Sequence, residues 1–154
     1  MKSARLPVLA TIGYQEATVA SFLRELREAG VQLVVDVRAI ASSRRPGFAK
    51  TLLAANLRDA GIDYVHLRGL GTPAEGRAAA RAGKHGEMQM IYRDHLDTPA
   101  AQTDLTTLMV LVRSEQRVCL LCLEADPAHC HRSLVADAVS RSMPVQIDHL
   151  RVKG

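Results

Sequence analysis

Tryptophan is absent from this chain of 154 residues, and there are only two Phe and three Tyr. A platform for stacking the bases of single-stranded nucleic acid is therefore poorly supplied. No apolar run is long enough to span a bilayer. Cysteine is scarce and odd in number, with Cys119, Cys122 and Cys130 alone. That argues against a disulfide framework. There is no G-x-G-x-x-G fingerprint and no Walker-type loop, so no dinucleotide or phosphate-loop cofactor is indicated and the cofactor stays unknown. Clusters of carboxylates of the kind magnesium nucleases use are missing too. The basic start, Met1 to Leu6, lacks the apolar core and small-residue cleavage site of a signal peptide. The expectation is a cytoplasmic chain with no membrane partner.

What is present is nearly half apolar and carries a formal charge of +4, with sixteen of its twenty basic residues arginine. The length suits one domain, residues 1–154. The charge balance suits an anionic small molecule or nucleotide, with nucleic acid as a second candidate partner. A solvated, arginine-rich surface accounts for it as well. The oligomeric state is not readable.

Apolar runs at Leu6–Ile12, Val31–Val37, Ile62–Leu67, Arg117–Leu123 and Val145–Leu150 read as strands. Between them, apolar residues recur at helical spacing: Val19 to Ala29, Phe48 to Ala60, Met88 to Leu96, Leu105 to Val112 and Leu134 to Val139. Thr18 is placed to cap the first helix and Gly30 to stop it. Thr98-Pro99 reads as a cap followed by a first-turn proline. Arg68–Gly86, rich in Gly, Ala and Arg, reads as an irregular or partly helical excursion. The alternation predicts an α/β fold with three layers, a mostly parallel sheet with helices on both faces, Rossmann-like or flavodoxin-like.

Ligands in such folds bind beyond the carboxyl ends of the strands. The first strand delivers Thr11, Gly13 and Tyr14 there. The second delivers Asp36 and Arg38, either an acid or a phosphate clamp, or else an ion pair that positions the next loop. The third delivers His66, with Gly71 beyond. The fourth delivers Cys122 and Glu124, then Asp126-Pro127-Ala128-His129-Cys130-His131-Arg132-Ser133. A helix starting at Asp126, or after an isolated turn nearer His131, puts Cys130, His131, Arg132 and Ser133 at its N-terminus. Free N–H groups and the helix dipole favour an anion there and lower a thiol pKa. Arg132 has the geometry for a bidentate grip on phosphate or carboxylate. Cys122, Glu124, His129, Cys130 and His131 are all ligand types, but adjacent side chains rarely converge on one ion and the spacing is not that of a zinc finger. No metal site is expected.

Thr11-Ile-Gly-Tyr14, Val34-Val-Asp-Val-Arg38, Tyr64-Val-His66 with Leu70-Gly71, Leu121-Cys-Leu-Glu124 and Cys130-His-Arg-Ser133, in that order, resemble the family called domain of unknown function 488. The likeness runs from about Val8 to Ile147. It implies a compact α/β domain and no particular activity. The positions matching its motifs are Thr11, Gly13, Tyr14, Asp36, Arg38, His66, Gly71, Cys122, Glu124, Cys130, His131 and Arg132. A cysteine after a central strand is loosely similar to the rhodaneses, but the Cys-x5-Arg loop is absent, the arginine ten positions after Cys122 being Arg132.

The leading functional expectation is an enzyme on a phosphate- or nucleobase-bearing substrate. Cys122 or Cys130 would act as nucleophile, Glu124 or His131 would move protons, and Arg38 with Arg132 would hold the anion. A nucleotide- or nucleic-acid-binding module without turnover is the alternative, and a metal-dependent hydrolase ranks third.

Overall fold

The computed structural model describes residues 5–153; Met1–Ala4, most of the basic start, and Gly154 lie outside the described residues. Five strands, β1 (Val8–Gly13), β2 (Leu33–Asp36), β3 (Asp63–His66), β4 (Val118–Cys122) and β5 (Gln146–His149), form one sheet in the order β3-β2-β4-β1-β5. Every pairing is parallel. The helices are α1 (Val19–Glu28), α2 (Lys50–Asp59), α3 (Ala74–Arg81), α4 (His85–Leu96), α5 (Pro99–Arg113) and α6 (His131–Ser142). This is a three-layer α/β fold of the Rossmann or flavodoxin-like kind. No helix among the described residues is long and apolar enough to cross a membrane.

Local chemistry sets the helix ends. Thr18 Oγ1 accepts from Ser21 N–H, and Ser21 Oγ accepts from Thr18 N–H, a reciprocal cap on α1. The chain leaves α1 through Gly30 at φ 71°, a left-handed conformation that suits glycine. Thr98 caps α5, with Pro99 in its first turn. The Arg68–Gly86 excursion is more regular than its composition suggests. A short 3-10 turn (Arg68–Leu70) leads into α3, whose buried positions are Gly76 and Ala79. Only small residues let that helix lie close to α4, so it lacks the large apolar stripe that marks a helix in sequence.

Two apolar clusters sandwich the sheet. On one face α1 and α2 set Phe22, Leu26, Leu53 and Leu57 against Ile12, Val34, Cys119 and Leu121. On the other, α4, α5 and α6 set Tyr92, Leu108, Val135 and Val139 against Leu9, Val35, Leu120 and Cys122. Each fully buried aliphatic side chain contributes about 1.5–3 kcal/mol. β4 is central and buried throughout.

The topology dictates where a ligand can go. The helices that follow β1 and β2 cover one face, while those that follow β3 and β4 cover the other. β4 lies between β1 and β2. On both its sides, neighbouring connections therefore depart in opposite directions, and the crevice of a topological switch point opens beyond Cys122. Register brings the strand ends out nearly level: Gly13 pairs with Cys122, Asp36 with Leu121, and His66 with Asp36.

Gly13 is required by the loop above it. A Cβ there would lie 1.8 Å from the carbonyl oxygen of Glu124. Backbone, not a flexible side chain, blocks the space, so Gly13→Ala is expected to destabilise the fold by about 3 kcal/mol or more. Gly86→Ala, where nothing lies within 4 Å, is expected to be neutral or stabilising by up to about 1 kcal/mol. Denaturant unfolding of the two variants checks the pair; equal midpoints would remove the close approach as a constraint.

Candidate functional site

The loops beyond β1, β2 and β4, closed over by α3 and α4, enclose a cavity of about 220 Å3. Its floor holds Cys122, Glu124 and His131; Arg38, Arg77 and Arg81 stand on its walls.

Cys122 is the last residue of β4 and faces the α6 side of the sheet. The chain then runs through a 3-10 turn (Pro127–His129), capped by Asp126 accepting from Ala128 N–H. Of the two expected helix starts, the later one occurs. Cys130 is the extended N-cap residue and His131 the first residue of α6. Because one is extended and the other helical, these adjacent side chains do converge. His131 Nδ1 lies 3.5 Å from Cys122 Sγ and 3.8 Å from Cys130 Sγ. Its Nε2 is 2.7 Å from the Val37 carbonyl oxygen. A carbonyl only accepts, so Nε2 carries a proton, and Nδ1 is left to face both sulfurs. Glu124 Oε2 is 3.3 Å from Cys122 Sγ. Among the described residues, the metal-ligating atoms of Cys122, Cys130 and His131 lie within 4.8 Å of one another, and all three residues are buried.

The groups share protons. Burial pushes both thiols up. At Cys130 the hydrogen bond from Cys122 and the charges of His131 and Arg132 outweigh burial and hold the thiol well below its usual range. Cys122 keeps the proton of the pair and is pushed well up by burial and by its bond to Cys130. Burial alone would lower His131, but the Cys130 charge and hydrogen bond raise it. Burial, followed by the charge on Cys130, raises Glu124 above the usual carboxylate range. A thiolate at the start of a helix is also what the dipole favours.

Several of the residues expected at the ligand make contacts within the protein. Arg132 is fully buried. It donates Nε to Thr11 Oγ1 at 3.1 Å, Nη1 to the Glu124 carbonyl, and Nη2 to the Ala125 carbonyl at 3.2 Å. It ties α6 and β1 to the loop after β4, and it does not line the cavity. Thr11 also meets His149 Nδ1 at 2.6 Å. Ser133 Oγ turns back to the Cys130 carbonyl. Gly13 admits the Glu124 carbonyl, where a ligand's approach to the backbone was the expectation. Gly71 admits the backbone of Ala39, whose Cα would lie 2.2 Å from an added Cβ.

Asp36 and Arg38 take the second of their two readings. Arg38 forks onto Asp36 at 2.9 and 2.7 Å, and its Nη1 donates to Tyr14 Oη at 3.1 Å and to the Phe48 carbonyl at 2.8 Å. Tyr64 Oη donates to Asp36 Oδ2 at 2.6 Å. Burial and this bond to a carboxylate raise the Tyr64 phenol. Tyr14 stacks on Phe48 with centroids 4.6 Å apart. The network ties down the loop from Ala39 to Phe48. His66 meets the Arg38 carbonyl at 2.7 Å and lines a separate, open groove of about 1020 Å3 with Lys50, Arg68 and Asp104. Groove and cavity share Ala39, Ile40 and Ser42 as a common wall.

Sequence reasoning missed the cationic wall. Arg77 and Arg81 lie one helical turn apart on α3 and both reach the cavity; their i, i+4 spacing in an alanine-rich run was the available signal. Thr72 and Met88 were missed as well.

The two kinds of arginine are separable by experiment. Arg132→Met leaves two loop carbonyls and a hydroxyl without their donor, and a loss of about 3 kcal/mol in denaturant unfolding is expected. Arg81→Ala, at an exposed position, is expected to stay within about 0.5 kcal/mol of the parent. An Arg132→Met protein as stable as the parent would remove the strut.

A family model described as a domain of unknown function, DUF488, matches residues 18–139. That stretch contains the blocks from Val34 to Arg132 and leaves Thr11-Ile-Gly-Tyr14 outside it. No curated protein and no solved structure matches the chain. Its sequence blocks, and the span of the model over most of its length, place this chain in the DUF488 family.

Proposed function

We propose that the cavity beyond β4 is the active site of an enzyme acting on a small phosphate- or nucleobase-bearing substrate. One observation carries this reading: a sulfur in contact with both an imidazole and a carboxyl group forms the floor of a cavity whose walls are cationic. Reactive groups with strongly displaced proton affinities, gathered in a cleft, are the usual mark of a functional site.

The roles follow from position. The cluster of Cys122, His131 and Cys130 is the reactive centre. Glu124, half-buried and with its carboxyl raised by burial above the usual carboxylate range, takes and returns a proton. With Arg38 and Arg132 committed to the fold, recognition of the anion falls to Arg77 and Arg81, whose side chains remain at the cavity wall. A cavity of about 220 Å3 is below the usual range for a drug-sized ligand. It suits the reacting portion of a nucleotide, with the remainder lying over the shared wall at Ala39–Ser42 in the wider groove.

The alternative, binding without turnover, is favoured by one observation: Cys122 and Cys130 are only 4% and 2% exposed. Incubation of the reduced chain with a panel of nucleotides, nucleosides and phosphate esters separates the two, with substrate consumption and ligand-induced change in Tm read in parallel. Consumption of one class is expected. Glu124→Gln should then lower turnover by about 100- to 10,000-fold while keeping the Tm shift, and Arg77→Ala with Arg81→Ala should abolish the shift. A Tm shift with no consumption by the parent would assign the chain to the binding reading.

A further inference from the structure

We propose that Cys122 Sγ, Cys130 Sγ and His131 Nδ1 hold one zinc ion, with its fourth position open to the cavity. The ligand geometry carries the site. Zinc binds thiolate at about 2.3 Å and imidazole nitrogen at about 2.0–2.1 Å. Around a tetrahedral ion those lengths set the sulfur-to-nitrogen edge at about 3.5 Å. The two such edges in the structure measure 3.5 and 3.8 Å.

Three further features fit an ion at the centre of that triangle. The carbonyl of Val37 takes the proton on Nε2 and orients the ring, the outer-shell support that metal-bound histidines ordinarily have. Two thiolates balance the charge of a divalent ion, so the buried centre carries no net charge. Cys122 and His131 line the cavity, so the open side of the triangle meets its space. Three protein ligands and one open position are the pattern of a catalytic zinc, whereas structural sites are closed by four.

Glu124 stands 3.3 Å from Cys122 Sγ, beside the open position and outside the trio. A Cys-Cys-His donor set with a carboxylate off the metal is a water-activating arrangement, the chemistry of zinc enzymes that hydrolyse exocyclic amines of nucleobases. The step it supports is hydrolytic. A zinc-bound water loses a proton to Glu124, and its oxygen bonds to an electrophilic carbon of the substrate. The bond to the leaving nitrogen breaks, and that nitrogen takes the proton from Glu124. No oxidant or reductant enters. The ion rests on the ligand geometry alone; its water-activating role rests on the active-site reading of the cavity.

The test uses the full chain, purified under reducing conditions. One zinc per chain is expected by elemental analysis, with an X-ray absorption shell of two sulfur and two nitrogen or oxygen atoms. Cobalt in its place should give the intense visible bands of a tetrahedral thiolate site. Cys122→Ser, Cys130→Ser and His131→Gln should each weaken zinc binding by more than about 100-fold against a chromophoric chelator. Cys119→Ser, on the opposite face of the sheet, should bind as the parent does. A reduced parent that takes up no stoichiometric zinc or cobalt would overturn the proposal, as would a shell without sulfur. Both readouts use the unaltered chain, so misfolding of a variant cannot decide the matter. Absence of zinc with turnover still dependent on Glu124 would sink the metal and leave the enzyme. Zinc in the stated shell with no turnover of any substrate would do the reverse.

Discussion

The buried guanidinium of Arg132 is the fixture on which the site depends. It sits where α6, β1 and the loop after β4 meet, and its three nitrogens each donate to an oxygen of that junction. Without it, the carbonyls of Glu124 and Ala125 would lose the donor that joins them to α6 and β1. Because Arg132 directly follows His131, the same anchorage that ties down the loop also sets the first turn of α6. The imidazole then reaches the Val37 carbonyl on one side and both sulfurs on the other. Glycine at position 13 completes the arrangement, since the Glu124 carbonyl presses where a side chain would otherwise be.

A second buried arginine performs the corresponding task on the opposite face. Arg38 is satisfied by Asp36, Tyr14 and the Phe48 carbonyl, and the loop it fixes forms the wall between cavity and groove. Burying a guanidinium is costly unless its donors are paired, and both arginines meet that condition. The arginines therefore divide by place. Arg38 and Arg132 are interior and shape the site, while Arg77 and Arg81 of α3 stand on the cavity wall.

The placement of the Cys122, Cys130 and His131 cluster follows from the topology of the sheet. β4 is flanked by two strands whose connections leave towards the other face, so a crevice opens beyond its carboxyl end. Polar groups there avoid the apolar layers that a parallel sheet otherwise requires on both sides. α3 and α4 close that space from above and make it a cavity of defined size.

The elements themselves were legible in the sequence, because apolar periodicity and end signals act locally. Thr18 and Gly30 bound α1, Thr98-Pro99 begins α5, and the apolar run at Val118–Cys122 is the central strand, as their patterns imply. So was the gathering of Cys122, Glu124, Cys130 and His131, since strand ends and a helix start fall at readable positions in an α/β alternation. α3 was not, for its packing against α4 uses Gly76 and Ala79, and small residues leave no hydrophobic stripe. Nor was the fate of each polar side chain. Arg132 and Arg77 are the same residue type at the same edge of the sheet, yet one is a strut and the other a cavity wall. Arg132 is fully buried with an oxygen at each of its three nitrogens, whereas Arg77 is half-buried and meets one carbonyl, that of Thr72; only tertiary structure sets those surroundings. The convergence of Cys130 and His131 has the same origin: neighbours in sequence diverge in regular structure, and they meet here because the chain passes from extended to helical between them.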